Sequence, residues 1–350
     1  MSMHKTAVVA AFLVLLLAGT DSYGPALSGS ARPQKSVERE VTLRLKDKKH
    51  SVARQVRAVL WEEPQNIERL DLFYGPGGRE GAPDPSDRFT FIRRIKKGYS
   101  RKIVVTDEQG RQWVVKFGIE ARPETAATRI VNAMGYYTDT TYFVRRARIY
   151  DQRKSFDAVN VRFERRFADE KETGHWSWTD NPFKGTREMD GLKVLMALLN
   201  NWDLKESNND ILCREGNEGR MRCWYYVSDL GATFGKTGSF ARTMLPFIPN
   251  VTAGTRGQPK DYVRQRFIDD IRRGQVVFHY KGNHRSALKG IRVEHALWMG
   301  EMLGRLSDRQ LSDAFRAAGY NETETEMYVR ALRSRIRQLQ DLEPDTARLR

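Results

Sequence analysis

Five side chains of this sequence belong to the types that bind phosphate and divalent metal ions. A lysine ammonium suits a phosphate oxygen, while carboxylate and amide oxygens are the ligands that Mg²⁺ prefers in proteins. Groups of this kind, held in place, could stabilise the charge of a transferred phosphate. In chain order the five residues are Lys116, Glu124, Asp203, Asn208 and Asp229.

Lys116 and Glu124 occupy the end of a predicted strand and the first turn of the helix predicted after it. Glu124 precedes Ala127 and Val131 at helical spacing, so its carboxylate shares the apolar face, where an unpaired charge is costly. A nearby Lys116 ammonium would remove that cost. The alternatives are a solvated surface lysine and a glutamate that only stabilises the helix dipole.

The remaining three residues follow two other predicted elements. Asp203 and Asn208 come after an apolar helix predicted over residues 192–199, and Asp229 comes after a strand predicted over residues 224–227. Taken singly, each aspartate is an ordinary turn residue. Taken together, the residues follow a fixed order along the chain. A lysine on a strand comes first and a glutamate on a helix second, followed by the motif Asp-x-x-x-x-Asn, a hairpin and the motif Asp-x-Gly. Chance agreement of the whole order is much less expected than any single match.

This order resembles that of the protein-kinase-like superfamily, in which a strand Lys pairs with a helix Glu ahead of a catalytic loop and a metal-binding Asp-Phe-Gly. Residues 203–208, Asp-Leu-Lys-Glu-Ser-Asn, are similar to the catalytic loop, and residues 228–231, Ser-Asp-Leu-Gly, are similar to Asp-Phe-Gly. The resemblance covers roughly residues 89–340. Three further pieces look similar to a family of exported, uncharacterised bacterial proteins: residues 72–78, 122–129 and 229–235.

The resemblance implies a fold and a cofactor. The fold would be α+β with two lobes, a β-rich N-lobe and a mainly helical C-lobe. The cofactor would be ATP with Mg²⁺. Lys116 would hold the α- and β-phosphates, and Glu124 would orient Lys116.

The resemblance also implies a catalytic and a metal-binding set. Asp203 would accept a proton from the substrate hydroxyl or orient it, and Lys205 would neutralise charge on the transferred phosphate. Asn208 and Asp229 would bind Mg²⁺. The acceptor and the choice between phosphoryl and nucleotidyl transfer stay open.

The sequence departs from the family pattern in its phosphate loop. Residues 96–102 form a basic turn with one glycine, Gly98, where the family has a glycine-rich loop. The backbone N–H groups of this turn, with Gly98 and Ser100, are still expected to face the phosphates. Two further changes, Asn201-Trp202 for His-Arg and Leu230 for Phe, leave every charged position of the set in place.

The composition favours a partner of negative charge. The 350 residues carry 60 Lys and Arg against 44 Asp and Glu, a formal net charge of +16 with a pI near 9.9. With 40% hydrophobic and 10% aromatic residues the chain can build a sizeable core, which excludes wholesale disorder and a fibrous chain. The positive charge suits a nucleotide or an anionic envelope surface. Nucleic acid is not expected, because no motif for binding it is present.

The alternative function is a non-catalytic, pseudokinase-like module that binds an anionic envelope polymer. Its support is three basic clusters, at residues 93–102, 145–154 and 330–337. Charge runs of this kind are most often solvated surface. The intact set of charged site residues favours an enzyme, a phosphotransferase acting on an unknown protein or small molecule.

The N-terminus has the order of parts of a secretory signal peptide. A short basic stretch over residues 1–5 precedes an unbroken apolar run over residues 7–18, and small or polar residues follow. This run is too short to span a bilayer, which needs about 20 residues. We therefore expect cleavage of residues 1–22 and export to the periplasm or the medium, with no transmembrane span in the mature form. The alternative is an uncleaved anchor.

The rest of the chain divides by its patterns into five segments. A flexible leader over residues 23–40 precedes an N-terminal extension over residues 41–88, which contains a turn-rich loop. The N-lobe is expected over residues 89–170, the C-lobe over residues 171–340 and a tail over residues 341–350. Apolar spacing predicts C-lobe helices over residues 192–199, 262–272, 293–306, 311–318 and 325–339.

Cys213 and Cys223 flank a polar, glycine-containing turn between two short apolar stretches, a pattern that predicts a β-hairpin. In that hairpin the two cysteines could face each other at a separation that a disulfide tolerates. Outside the cytoplasm such a bond would persist. The alternative is two free, half-buried thiols, and we prefer the disulfide.

Overall fold

The structure, a computed structural model, describes residues 35–47, 50–96, 100–152, 154–166, 171–216, 220–236 and 255–343. All of them belong to one unit, Lys35–Arg350. The expected signal peptide over residues 1–22, Gly98 and the end of the expected tail lie outside the described residues. Within the described residues no helix has both the length and the apolar character needed to cross a membrane.

Strands dominate the first half of the described chain and helices the second. The strands are β1 Ser36–Asp47, β2 His50–Glu62, β3 Phe89–Ile95, β4 Lys102–Thr106, β5 Gln112–Lys116, β6 Tyr137–Thr138, β7 Thr141–Tyr150, β8 Phe156–Arg166, β9 Lys171–His175, β10 Asp210–Glu215, β11 Met221–Val227, β12 Ile268–Arg272 and β13 Gln275–Phe278. The α-helices are α1 Ala121–Ala133, α2 Arg187–Leu198, α3 Pro259–Arg264, α4 Val293–Gly304, α5 Asp308–Ala317 and α6 Glu322–Gln340. This content confirms the α+β fold class expected from the sequence.

Five strands close into a small barrel in the order β3, β4, β5, β8, β7. Apolar side chains recur at every second position, so Ile103 and Val105 of β4 join Trp113 and Val115 of β5 in the buried core of the barrel. Closure leaves no free sheet edge, which makes the barrel a rigid support. Lys116 is the last residue of β5 and is therefore held by this support.

A second sheet, in the order β1, β2, β11, β10, β9, joins the N-terminal extension to the C-lobe. β2 pairs with β1 along its length and lies parallel to β11 on its other side. The expected leader over residues 23–40 was therefore too long, since β1 begins at Ser36. Val37 and Val41 of β1 pack against the larger of the two hydrophobic cores, which lies outside the barrel, and this contact stabilises the strand.

Helix α2 lies at the centre of the large core. Every residue from Glu188 to Leu198 is buried, and α4 packs against this helix. The Thr186 side chain accepts a hydrogen bond from the backbone N–H of Met189 and so caps the helix. The segment that follows α2, which carries Asp203, therefore leaves from a fixed point.

The helix expected over residues 262–272 was wrong. Helix α3 ends at Arg264, and the rest of the segment is strand β12, which pairs with β13. Arg273 and Gly274 form the turn between them and both have positive φ, 53° and 70°. Such a two-residue turn matches the twist of antiparallel strands, and Gly274 meets its backbone requirement without strain.

Cys213 and Cys223 form a disulfide between β10 and β11, and the two residues are direct partners in the strand register. Cys223 also lies opposite Ala58 of β2, so the bond sits inside the second sheet and not at its edge. Both cysteines are buried, with 3% and 0% of their surface exposed. The bond therefore ties together the hairpin that comes just before Asp229.

We expect the paired substitution Cys213→Ser and Cys223→Ser to lower the free energy of unfolding by about 2–3 kcal/mol, because it frees a short loop in the unfolded chain. Urea unfolding of the oxidised wild type and of the double variant measures this difference. Intact mass before and after reduction checks the bond itself. Equal unfolding midpoints for the two proteins would contradict the expectation.

Candidate active site

The ammonium group of Lys116 is buried and contacts three carboxylates. Its Nζ atom lies 3.0 Å from Glu124 Oε2, 2.9 Å from Glu120 Oε2 and 2.6 Å from Asp229 Oδ1. Only 1% of the lysine side chain is exposed. A buried cation is tolerated when opposite charges contact it at such distances. The structure thus brings together three of the five residues singled out in the sequence.

These three carboxylates belong to two separate segments, the start of α1 and the turn after β11. Glu120 and Glu124 lie just before and in the first turn of α1, which follows β5 after a short connection. Asp229 follows β11 and has left-handed backbone angles, φ 52° and ψ 51°. A non-glycine residue is uncommon in this region and its conformation costs energy, so the contacts of Asp229 must hold it there.

Two neighbouring strands place further cations beside Lys116. Lys102 of β4 and Arg162 of β8 are its direct partners in the register on either side of β5. Like charges opposite each other are unfavourable, and Glu124 relieves this by sharing its two oxygens. Its Oε2 accepts from Lys116, while its Oε1 accepts from Arg162. Arg162 also contacts Glu164 two residues further along β8.

These charges shift the pKa values of the groups in the site. Burial by itself lowers the pKa of Lys116, but the carboxylates of Glu124, Asp229 and Glu120 outweigh burial and raise it above its ordinary value. For Asp229, burial acts to raise the pKa, and the Lys116 ammonium outweighs it and lowers the pKa to about 2. Both groups are therefore charged at neutral pH.

Asp203 and Asn208 lie in one short loop after α2. The side-chain Nδ2 of Asn208 donates to the backbone oxygen of Asp203 at 3.0 Å and lies 3.4 Å from its Oδ2. The backbone N–H of Asp203 donates to the side chain of Asn201 at 3.1 Å. Lys205 contacts the Asp203 carboxylate, Nζ to Oδ2, at 2.7 Å. The loop is thus folded around the Asp203 carboxylate.

Backbone hydrogen bonds join this loop to the segment that carries Asp229. The N–H of Ser228 donates to the oxygen of Asn208 at 2.8 Å, and the N–H of Trp202 donates to the oxygen of Ala232 at 3.0 Å. Asp229 lies next to Ser228 in the chain. Contacts therefore run without interruption from Asp203 through Asn208 to Asp229 and Lys116.

Glu120 is a member of the site that the sequence analysis missed. Besides Lys116, it accepts a hydrogen bond from the Ser100 hydroxyl at 2.7 Å and pairs with Arg256 of the C-lobe. Ser100, expected to face phosphates, makes this contact through its hydroxyl, and Gly98 lies outside the described residues. A Cβ on Gly231 would come within 2.7 Å of Glu120 Cβ, so only glycine allows this approach.

The missed residues differ in how well the sequence signals them. Glu120 stands four residues after Lys116 and four before Glu124, a spacing that was available as a signal. Arg162 and Arg256 carry no comparable signal. Their roles depend on the pairing of β8 with β5 and on the return of the chain to Glu120.

The arrangement suits Mg²⁺ and phosphate together. Asp229 offers carboxylate oxygens, and 37% of its side chain is exposed, so a cation can reach it. Because the amide nitrogen of Asn208 is used by Asp203, its carbonyl oxygen is the atom left to act as a ligand. Hard oxygen donors of both kinds are what Mg²⁺ prefers, and Lys116 suits a phosphate oxygen beside it.

The comparisons with known proteins found kinases. The chain is similar to the crystal structure of the Helicobacter pylori proinflammatory kinase CtkA, at 15% identity and a TM-score of 0.44, over 73% of this chain and 96% of that one. It is also similar to the Rio2 kinase of Chaetomium thermophilum, solved in an ADP/Mg²⁺-phosphoaspartate complex, at 12% identity and a TM-score of 0.29, over 85% and 82%. No family model and no curated protein matches the chain.

Both of these solved structures are described as kinases. What the site of this chain can do depends on the contacts of its own residues. These contacts place the Lys116 ammonium, the side chains of Asn208 and Asp229 and the Asp203 carboxylate in one continuous network.

The ion pair between Asp229 and Lys116 makes stability depend on pH. The pKa of Asp229 is about 2 in the folded chain against an ordinary 3.8, so the pair stabilises the fold fully above the higher value and loses this effect as the pH falls. We expect the wild type to be more stable than Asp229→Asn near neutral pH. The difference should shrink between about pH 4 and pH 2.

Urea unfolding of both proteins at several pH values measures this dependence. Asp180→Asn is the matched control, because it removes an exposed carboxylate outside the site. A stability difference between wild type and Asp229→Asn that stays constant over the same range would show that the ion pair is not the cause.

Proposed function

We propose that this chain is an exported, atypical kinase-like phosphotransferase that binds ATP with Mg²⁺ and transfers a phosphoryl, or a nucleotidyl, group to an acceptor. The observation that carries the proposal is the contact of buried Lys116 with both Glu124 and Asp229, at 3.0 and 2.6 Å. The buried Glu124 alone would give Lys116 a structural partner. The second carboxylate, Asp229, is 37% exposed, so a ligand from solvent can reach it.

The phosphate half of the proposed site is the row of cations across β4, β5 and β8. Lys116 would contact the α- and β-phosphates, and Glu124 would keep its ammonium in place from a position that Arg162 fixes in turn. Lys102 lies next to Lys116 in the register and adds positive charge. A rigid barrel holds these groups, so little reorganisation is needed when phosphate binds.

The metal half consists of Asn208 and Asp229. Bound there, Mg²⁺ would supply positive charge to the phosphate oxygens. In the structure described, the Asp229 carboxylate contacts Lys116. On nucleotide binding Lys116 would exchange this partner for phosphate, and Asp229 would turn to the metal.

Asp203 would act on the acceptor. An acceptor hydroxyl attacks the transferred phosphorus, its proton passes to the Asp203 carboxylate, and the bond to the leaving phosphate oxygen breaks. Lys205 contacts this carboxylate, Nζ to Oδ2, at 2.7 Å and so holds it in a fixed position. The side chain of Lys205 is 43% exposed, so it could also contact the transferred group.

The place of action follows from the expected signal peptide. Export of residues 23–350 would leave the formal net charge unchanged, because residues 1–22 contain one lysine and one aspartate. A basic enzyme of this kind would meet anionic surfaces in the envelope. Its acceptor would be a hydroxyl-bearing protein or small molecule.

The first test measures nucleotide binding. We expect Mg²⁺-ATP to raise the melting temperature of the mature chain by a few degrees, since about 2.7 kcal/mol is gained at a ligand concentration 100 times the Kd. The shift should need Mg²⁺ and should be lost in Asp229→Asn and in Lys116→Met. Thermal denaturation with and without EDTA gives the comparison.

Lys260→Met is the matched control for Lys116→Met, because it removes an exposed lysine of α3. It should keep the full response to Mg²⁺-ATP. An absence of any metal-dependent shift in the wild type, or equal shifts in wild type and Asp229→Asn, would overturn the nucleotide site.

The second test separates enzyme from binding module. We expect Asp203→Asn to bind Mg²⁺-ATP as well as the wild type and to lose about 100-fold or more in phosphoryl transfer, because a positioned base contributes on this order. Transfer of labelled phosphate to an envelope extract measures activity, with Asp180→Asn as the control. Transfer at the wild-type rate by Asp203→Asn would remove Asp203 from the mechanism.

A further inference from the structure

Arg129 of α1 is a cation buried beside the turn-rich loop. Only 2% of its surface is exposed, and its Nε and Nη1 atoms have no hydrogen-bond partner among the described residues. Within the same part of the chain, no carboxylate lies within ion-pair distance of it. Leaving a charged group buried and unpaired is among the most costly arrangements a fold can contain. Such a group calls for an ion-pair partner that the described residues do not supply.

The guanidinium lines a cleft of about 420 Å³. The walls of this cleft are largely apolar or aromatic, and include Phe73, Pro83, Phe143 and Ala317. Arg79, an exposed arginine, lies at the same cleft. A mostly apolar cleft with a few charged groups that fix orientation is the common form of a small-molecule site.

The turn-rich loop is fitted closely around Arg129. Gly75 has φ +68°, and a Cβ there would lie 2.5 Å from Arg129 Nη1. A Cβ on Gly77 would lie 2.0 Å from the hydroxyl oxygen of Tyr142, whose ring faces the Arg129 guanidinium with the ring centre 5.1 Å away. Glycine at these positions lets the backbone approach the arginine and the tyrosine. The loop therefore holds the guanidinium in place at the cleft.

The carboxylates nearest in the chain are used elsewhere. Asp71 Oδ1 accepts from the backbone N–H groups of Phe73 and Tyr74, at 2.8 and 3.0 Å. Asp84, at the wall of the cleft, accepts from the N–H and the hydroxyl of Ser86, at 2.9 and 2.7 Å. Both carboxylates thus stabilise turns of the loop. Asp71 attracts Arg129 only from beyond ion-pair distance, and Asp84 makes no ion pair with it.

We infer that this cleft binds a small organic anion, a carboxylate or phosphate monoester with an apolar body, whose charged end pairs with Arg129. The guanidinium can donate a charge-assisted hydrogen bond to either anion, and such bonds are strong where water is excluded. The apolar walls would receive the rest of the molecule. The inference is independent of the proposed kinase activity, since it uses none of the residues assigned to the nucleotide or metal.

A separate observation agrees with this assignment. Burial lowers the pKa of Arg129 to about 10, which leaves the guanidinium protonated at neutral pH. The group is therefore a permanent cation under ordinary conditions. An anion that enters the cleft would remove the cost of burying it.

The experiment compares two probes, benzoate and phenyl phosphate, with benzyl alcohol as the neutral analogue. We expect each anion, and not the alcohol, to raise the melting temperature of the mature chain in a saturable way. Arg129→Met should weaken binding by about tenfold or more in calorimetric titration, because it removes a charge-assisted pair. Arg129→Met should also be at least as stable as the wild type without a probe, since it replaces an unpaired buried charge with an apolar side chain.

Two further variants keep the result decisive. Arg54→Met removes an exposed arginine of β2 and should respond like the wild type. Ala317→Phe narrows the cleft from α5 without touching the guanidinium, and it should weaken both anions even if Arg129→Met does not fold. A wild type that neither anion stabilises would overturn the inference. A response that survives in Arg129→Met and Ala317→Phe would do the same, because it would place the anion elsewhere.

Discussion

The buried ammonium of Lys116 is the interaction on which the site depends. It contacts Glu120 and Glu124 from the start of α1 and Asp229 from the end of β11. Removing any one partner from a buried pair leaves an uncompensated charge, which is strongly destabilising. The requirement to satisfy this one cation therefore holds barrel, helix and C-lobe loop in a single arrangement.

The surrounding charges alternate in sign. The three carboxylates exceed the single ammonium, and Arg162 and Arg256 offset them through Glu124 and Glu120. A basic protein thus concentrates acidic groups at one place, where they are screened least and interact most strongly. A metal nucleotide carries both signs of charge, and under the proposed function Lys116 would face its phosphates while Asn208 and Asp229 would face its metal. In this way the network that stabilises the fold also prepares the site.

Helix α1 carries two buried charged side chains, and only one of them is paired with opposite charges of the described residues. Near its start, Glu124 is buried and receives both an ammonium and a guanidinium. Near its end, Arg129 is buried, and its Nε and Nη1 lack hydrogen-bond partners among the described residues. Because an unpaired buried charge is costly wherever it lies, the difference marks Arg129 as a group whose partner comes from outside the chain. The close packing of Gly75 against it shows that the loop is built around this side chain.

The sequence by itself determined the α+β class, the order of the site residues and the hairpin that joins Cys213 to Cys223. These features are local, since they rest on spacing along a strand or helix and on turn residues between apolar stretches. Only the tertiary structure decided which charges meet. The contacts of Glu120 with Arg256 and of Glu124 with Arg162 depend on strand register and on the return of distant segments. Spacing along the chain cannot contain such distances. For the same reason it could not reveal that Arg129 makes no ion pair with any of the described residues.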